Sequence, residues 1–190
     1  MDVVTLVFLG VVAITIGYAI VIYNGLVSLK HAVSQAWSNI DVLLKQRHDE
    51  LPKLVETCKQ YMQHERDTLE QVMRARSAVS DARAKGDVGA VGAAESSLRL
   101  GLGNLFAVAE AYPDLKANES FTHLQARISG LENSIADRRE FYNAAVNANN
   151  VRIEQFPDVL IANAFNFKAA ELLEFSEAEI ADVDMASLFG

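Results

Sequence analysis

The chain begins with an unbroken apolar run and then changes to apolar positions spaced at helical intervals. Val3–Ile22 contains no charged residue. A helix of that length spans about 30 Å, the thickness of a bilayer hydrocarbon core, and it satisfies its own backbone polar groups in lipid. Tyr18 and Tyr23 stand near one end of the run, where headgroups favour amphipathic rings. The run therefore predicts a transmembrane anchor over residues 1–24.

A cleaved signal peptide is the main alternative to this anchor. It would require a basic segment before the run, a shorter run and a small-residue cleavage site. Only Met1-Asp2 precedes the run here, and Tyr23-Asn24 follows it. We therefore expect an uncleaved, single-pass span. Because the first basic residue is Lys30, the positive-inside rule puts the N-terminus outside and the rest of the chain in the cytoplasm.

Beyond Gly25 the apolar positions recur every three or four residues, as they do on one face of a helix. Four such stripes follow one another along the chain: Val33, Trp37, Ile40 and Leu44; Leu54, Cys58, Tyr61, Leu69, Val72 and Val79; Val91, Leu98, Leu102, Leu105 and Ala109; and Phe121, Leu124, Ile128, Leu131, Ile135, Tyr142 and Ala145. We find no convincing alternation of period two. The pattern predicts an all-α protein.

Proline and glycine mark the expected helix ends. Leu51-Pro52 predicts a kink or a new helix start, with Asp49 as its N-cap. Lys85-Gly86-Asp87, Ala111-Tyr112-Pro113-Asp114 and Phe156-Pro157 mark three more ends. Long helices joined by short loops pack as antiparallel neighbours. The fold expected over residues 25–170 is an elongated antiparallel bundle of three or four long helices, continuous with the transmembrane helix.

The negative charge is local. The net charge is −8, and residues 171–190 hold six acidic residues and no lysine or arginine, so residues 1–170 carry −2. These acids are Glu171, Glu174, Glu177, Glu179, Asp182 and Asp184. Apolar residues alternate with them, so this acidic tail could be solvated and disordered or could form a short docking helix. No basic run suited to nucleic acid occurs.

The residues that usually carry catalysis are sparse and badly spaced for it. The single cysteine, Cys58, lies on an apolar stripe, where a small buried filler is expected. The four histidines are not arranged as metal ligands, and no serine lies in a nucleophile-elbow context. We predict no enzymatic activity, catalytic residue, cofactor or metal, and we identify no small-molecule substrate.

Two polar, aromatic-bearing segments are candidate contact surfaces. Trp37, Asp41 and Arg47 lie on the helix that follows the span, and Tyr112-Pro113-Asp114 with Asn118 forms a turn. Exposed aromatic residues among polar groups are common in interaction surfaces. The plainer alternative is that Trp37 belongs to the core and that the turn only ends a helix.

The sequence leaves open how two neighbouring arginines on the last long helix are placed. Arg138 and Arg139 have no acid three or four residues away, and one of them must lie near the apolar seam. A buried arginine would require an ionic partner on another helix, for which Asp41 and Glu110 are candidates. Alternatively, the arginine stem covers the core and the guanidinium stays in water.

Glycines near the third stripe leave two interpretations open. Gly86, Gly89 and Gly92 could form a loosely held hairpin with a fraying helix start. Alternatively, they could allow close contact where side chains are absent.

Several longer blocks resemble the LemA family in collinear order. They are Tyr23-Asn24-Gly25-Leu26-Val27, Ala36-Trp37-Ser38-Asn39-Ile40-Asp41-Val42, Leu51-Pro52-Lys53-Leu54-Val55-Glu56-Thr57, the block from Ala107 through Tyr112-Pro113-Asp114 to Asn118, and Phe141-Tyr142-Asn143. The chain departs from the family pattern at Ala148-Asn149-Asn150, where an aromatic residue tends to precede Asn, and at Asn166, where glycine is usual.

This resemblance implies a bacterial, single-span protein of the inner membrane, with its N-terminus outside, a long helical domain inside and no established enzymatic activity. We expect a membrane-anchored scaffold that meets lipid through Val3–Ile22 and associates with copies of itself or with a membrane-protein partner. The alternative is an accessory or regulatory subunit of a membrane enzyme such as a protease or a sensor.

Overall fold

The computed structural model describes residues 2–175, and every regular element in that range is helical, as the apolar spacing predicts. The helices are α1 (Val3–Lys59), α2 (Arg66–Lys85), α3 (Val88–Ala109), α4 (Pro113–Lys116), α5 (Glu119–Glu154) and α6 (Asp158–Ala164). Four of these are long, so the expected all-α fold, with an apolar N-terminal helix followed by a helical bundle, is confirmed.

Backbone contacts divide the described chain into two compact units. The first unit contains residues 2–39 and 140–171, and the second contains residues 40–139 and 172–175. Helices α1 and α5 contribute residues to both units. The domain boundaries predicted from membrane location and charge, which give residues 1–24, 25–170 and 171–190, stay a prediction.

The first unit contains the apolar run and one small core. Among the described helices, α1 alone is long and apolar enough to cross a membrane, and only 6% of its most apolar stretch is buried within the protein. The end of the run is different, because Ile22 and Leu26 are buried together with Ala162 of α6. Ile153, Ile161 and Phe167 surround this small cluster.

The second unit is built on the core that the stripes predict. The end of α1, the facing sides of α2 and α3, Leu115 of α4 and the start of α5 supply its buried side chains. Leu54, Val72, Leu102 and Ile128 are completely shielded from solvent. These residues occupy the predicted three- and four-residue spacing, so burial of one face of each helix stabilises the unit.

The helix start predicted at Leu51-Pro52, with Asp49 as its N-cap, is wrong, because α1 passes through Pro52 and ends at Lys59. Proline has no N–H to donate to the carbonyl four residues earlier, which belongs to His48. Arg76 on α2 donates its Nε–H to that oxygen instead, at 2.9 Å. Leu51 and Leu54 are fully buried on either side, so tertiary contacts override the local signal. The actual break is the turn at residues 60–65.

The predicted ends at Gly86 and Pro113 are confirmed. Gly86 has φ 68°, the left-handed conformation that ends α2. Asp87 then accepts a hydrogen bond from the Ala90 N–H at 2.8 Å and caps α3. Pro113 occupies the first turn of α4, where its missing N–H has no helical partner to lose.

Gly92 is a point of close approach on α3. A Cβ at this position would lie 2.0 Å from the backbone oxygen of Glu174, a distance that no side chain tolerates. Of the two interpretations of the glycines near the third stripe, Gly92 therefore fits the second, in which the missing side chain allows close contact. The rest of the acidic tail, residues 176–190, lies outside the described residues.

Candidate functional site

Three helices of the second unit meet at a buried charge cluster formed by Arg47 of α1, Glu95 of α3 and Glu132 of α5. Nη2 of Arg47 donates to both carboxylate oxygens of Glu95, and Nη1 lies 3.8 Å from Oε1 of Glu132. The Arg47 and Glu95 side chains are each 3% exposed. Because desolvating a guanidinium costs several kcal/mol, the carboxylates must repay most of that cost. Arg47 thus joins three helices by ionic contacts, and its side chain is inaccessible to a partner protein.

Weaker charged contacts flank this cluster along α1. Oδ1 of Asp41 lies 2.6 Å from Nη2 of Arg83 and accepts its Nε–H at 2.8 Å, joining α1 to α2. Glu50 pairs with Arg127 of α5 at 3.1 Å. Both arginines retain some exposure, so each pair contributes less than the buried cluster. Together with Arg47, these side chains connect α1 to each of the other long helices.

His48, whose backbone carbonyl accepts the Arg76 hydrogen bond, also has a half-buried side chain. Its Nδ1 is buried and has no hydrogen-bond partner among residues 2–175. Burial, and then the nearby guanidinium of Arg76, lower the pKa of the His48 imidazole below its usual 6.5. This histidine therefore favours the neutral form, and protonating it opposes folding.

Two turns of the second unit are joined by side-chain hydrogen bonds. Asn118 donates its amide N–H to the Tyr61 hydroxyl at 3.0 Å, and Tyr112 donates its hydroxyl to Glu65 at 3.3 Å. Asn118 also accepts from the N–H of Phe121 at 3.0 Å, so it caps the first turn of α5. Desolvation, and then the Glu65 carboxylate, raise the pKa of Tyr112. We call these two turns, which are joined by the side chains of Tyr61, Glu65, Tyr112 and Asn118, the paired turns.

The paired turns present Pro113 and Asp114 outward. Both residues are exposed, whereas Leu115 next to them is fully buried and holds the turn against the core. The turn predicted from Tyr112 to Asn118 is therefore held in place at the surface, and the exposed carboxylate of Asp114 lies at its tip.

In the first unit, Trp37 is half-buried and packs on Tyr142. Their ring centroids are 5.4 Å apart, and the Tyr142 hydroxyl donates to the backbone oxygen of Glu171 at 2.8 Å. Burial, followed by the charge of Glu171, raises the pKa of Tyr142. Asn143, the next residue on α5, is half-buried. The tryptophan thus packs within its unit.

The two neighbouring arginines of α5, Arg138 and Arg139, have different surroundings. Arg139 lies over the Phe175 ring, with its guanidinium carbon 3.9 Å from the ring centroid, and Arg138 is exposed. The two proposed partners are engaged elsewhere, because Asp41 binds Arg83 and Glu110 binds Lys116. A cation–π contact with Phe175 therefore holds the Arg139 guanidinium, and this contact needs neither Asp41 nor Glu110 as an ionic partner.

The residue types of nucleophilic or metal chemistry do not converge in the described chain. Cys58 is fully buried, as expected of a core filler, and burial raises the pKa of its thiol to about 12. Within residues 2–175, no group of three or more His, Cys, Asp or Glu side chains is arranged to hold a metal ion.

The spacing of residues along the sequence contains a signal for the buried cluster. Arg47 follows Ile40 and Leu44 and precedes Leu51 at intervals of three and four, so it occupies a core position. Glu95 fills the gap between Val91 and Leu98 on the third stripe. Charged residues at positions that periodicity assigns to the core must pair with each other, because burying either charge alone is too costly.

Comparison with known proteins supports the resemblance suggested by the sequence blocks. A family model described as the LemA family matches residues 36–186. Protein LemA of Metamycoplasma hominis is 28% identical over 184 residues, which are 92% of this chain and 81% of that protein.

Two other relatives are described as magnetosome proteins. Magnetosome protein MamQ 2 of Paramagnetospirillum magneticum is 33% identical over 107 residues, which are 55% of this chain and 39% of that protein. Magnetosome protein MamQ of Magnetospirillum gryphiswaldense is 33% identical over 70 residues, which are 37% of this chain and 26% of that protein. The chain therefore spans about two fifths or less of the length of these MamQ relatives.

Proposed function

Because the chain belongs to the LemA family, we propose that it is a membrane-anchored helical scaffold with no catalytic activity of its own. The observation that carries this proposal is the outward-facing apolar surface of α1, of which only 6% is buried over its most apolar stretch. A surface of that size exposed to water would be strongly unfavourable, whereas lipid matches it. Val3–Ile22 is therefore the anchor.

The proposed orientation follows the basic residues beyond the anchor. Lys30, Lys45 and Lys53 lie after the apolar run, and Asp2 lies before it. The positive-inside rule then puts the N-terminus outside and the second unit in the cytoplasm. We propose that this membrane is the inner membrane of a bacterium, as the LemA resemblance implies.

The scaffold role is supported by how the second unit uses its charged side chains. Arg47, Glu95 and Glu132 connect three helices from within, and Asp41 with Arg83 adds a tie to α2. These contacts fix the relative positions of the helices in that unit. The tip of the paired turns, with Asp114 exposed, is then held in a fixed place from which it binds a partner.

A second candidate function rests on the same tip. An accessory or regulatory subunit of a membrane enzyme, such as a protease or a sensor, would use Asp114 and Pro113 to contact that enzyme. The hydrogen bonds of Asn118 and Tyr112 favour this alternative, because they preorganise the turn before binding. The partner in the first proposal is a second copy of the chain or another membrane protein.

The anchor is tested by fractionation of cells that express the full chain or a variant with Ile14→Lys and Ile16→Lys. We expect the full chain to stay in membranes after alkaline carbonate extraction and the double variant to be extracted, because a charge at the bilayer centre costs about 3 kcal/mol. Val42→Lys, at an exposed position of the second unit, is the matched control. Retention of the double variant would contradict the anchor.

The partner surface is tested by crosslinking in intact membranes followed by affinity capture. Asp114→Ala should reduce the crosslinked species several-fold, while Asp137→Ala, an exposed acid on α5, should leave them unchanged. Self-crosslinks alone support a homo-oligomeric scaffold, and a co-captured membrane enzyme supports the accessory role. Monomers alone, with neither kind of crosslink, would contradict both.

A further inference from the structure

The first unit exposes large apolar side chains beside the end of the apolar run. Phe156 is 81% exposed, and Leu160 and Phe165 are each 60% exposed. The opposite side of the same segment is buried, because Ala162 packs against Ile22 and Leu26. Since Ile22 is the last residue of the run, α6 and its flanks lie at the level where the run ends.

Aromatic contacts fix this segment to α1. The Phe165 ring lies 4.8 Å from the Tyr23 ring, and the Phe167 ring lies 5.8 Å from it, both edge to face. Asn166 between them has φ 57°, a left-handed conformation that asparagine tolerates and glycine adopts freely. This turn directs the two flanking rings toward the same tyrosine.

A cavity of about 500 Å³ opens at the same place and carries positive charge. Lys30, His31 and Lys168 line it together with Tyr23 and Phe165, and no carboxylate is among its lining residues. The nearby Asp158 is buried and paired with Arg152. The charge of the cavity is therefore that of its two exposed lysines.

The segment that carries Lys168 is held by two asparagines of α5. Asn150 donates to the Ala170 oxygen at 2.9 Å and accepts from the Ala170 N–H at 2.9 Å. Asn149, which is 4% exposed, donates to the Lys168 oxygen at 3.4 Å. The backbone of the segment that carries Lys168 is thus positioned by side-chain hydrogen bonds.

We propose that this surface is an interfacial lipid site. Phe156, Leu160 and Phe165 insert at the boundary between headgroups and acyl chains, and Lys30 and Lys168 bind the phosphates of anionic phospholipids. The proposal rests on the proposed anchoring of Val3–Ile22, and it adds a second contact with the same leaflet.

Three observations identify lipid as the occupant. The exposed Phe165 ring packs on Tyr23 at the end of the proposed anchor, Lys30 and Lys168 lie beside it, and the short helix exposes Leu160 while its Ala162 side is packed. These are the features of interfacial amphipathic segments. Lys30 follows Ile22 by about 12 Å of helix, so its side chain can reach back to the headgroup layer.

The insertion is tested with tryptophan in the full chain reconstituted into vesicles. In a Trp37→Phe background, Phe156→Trp and Phe165→Trp are compared with Phe141→Trp, an exposed residue about 20 Å of helix before the end of α5. Phosphatidylcholine brominated on its acyl chains is the quencher. We expect quenching at positions 156 and 165 to be at least about threefold stronger than at position 141, since these residues are placed at the interface.

Equal quenching at all three positions would overturn the lipid site. Flotation of the vesicles is measured on the same samples, so the two proposals fail separately. Flotation without selective quenching contradicts this inference alone. A chain that does not float contradicts the anchor and, with it, the site.

The headgroup contact is tested by placing the bromine on phosphatidylglycerol only, in vesicles that also contain unlabelled phosphatidylcholine. Phe165→Trp should then be quenched more strongly than by an equal amount of brominated phosphatidylcholine. Lys30→Gln with Lys168→Gln should reduce this preference by about fivefold per lysine. Lys45→Gln with Lys85→Gln, both exposed in the second unit, should leave it unchanged. Equal effects of the two pairs would overturn the specific phosphate contact.

Discussion

Arg76 donates a hydrogen bond to the carbonyl oxygen of His48, the atom that Pro52 leaves without its helical partner. Proline in a helix interior costs about 3 kcal/mol or more, partly through this unbonded carbonyl. A guanidinium from the neighbouring helix supplies the missing donor. The same contact joins α1 to α2, so the local defect and the tertiary packing depend on one side chain.

We expect Arg76→Met to destabilise the protein by about 1–2 kcal/mol, because it keeps most of the stem and removes the donor. In a Pro52→Ala background, the new N–H at position 52 can bond to His48, so Arg76→Met should then cost about 1 kcal/mol less. Urea unfolding of the full chain in detergent measures both effects. An identical cost of Arg76→Met in the two backgrounds would show that Arg76 does not compensate for the proline.

The buried cluster predicts a large effect from a single charge removal. Arg47→Met should destabilise the protein by about 3–5 kcal/mol, because it leaves the Glu95 carboxylate buried without its cation. Adding Glu95→Leu should recover a substantial part of that loss. Lys59→Met is the matched control, since its pair with Glu56 is largely exposed and is worth under about 1 kcal/mol. Thermal unfolding with circular dichroism gives the comparison.

The lowered pKa of His48 predicts acid sensitivity of the second unit. Because the folded protein binds this proton less readily than the unfolded chain does, the contribution of His48 to stability is fully present above a pH of about 6.5, the usual pKa of histidine. Stability should fall as the pH drops from that value toward the lowered folded pKa. His48→Gln should flatten this part of the curve, whereas His123→Gln, at an exposed position, should not. Matching curves for both variants would contradict the assignment.

Alanine substitutions at Gly92 and Gly103 test whether α3 and the segment around Glu174 are in contact, because only the first position lies against that segment. Gly92→Ala should displace the segment around Glu174, since its Cβ would lie 2.0 Å from a backbone oxygen. Gly103→Ala meets nothing within 4 Å, so it should stabilise the helix by up to about 1 kcal/mol. Hydrogen exchange at residues 172–175 is the measurement. Unchanged protection there in Gly92→Ala would show that the two segments do not touch.

The environment of some candidate contact residues is set by their neighbours in sequence, and that of others is set by distant residues. The turn from Tyr112 to Asn118 was predictable, because Pro113 sets its backbone conformation without help from distant residues. Its connection to Tyr61 and Glu65 was not, since those residues are about fifty positions earlier in the chain. Arg47 was singled out for contact with a partner, but its environment depends on carboxylates from two other helices.

The spacing of apolar residues was enough to predict the helical class, the exposed apolar run of Val3–Ile22 and the buried face of each long helix. Periodicity is a property of neighbouring residues and needs no knowledge of distant ones. Contacts between distant segments are needed to explain why α1 passes through Pro52, why Arg47 pairs with Glu95, and why Lys30 and Lys168 line one cavity. These depend on groups from separate helices meeting at hydrogen-bonding or ion-pairing distance, and no local pattern specifies which of them will meet.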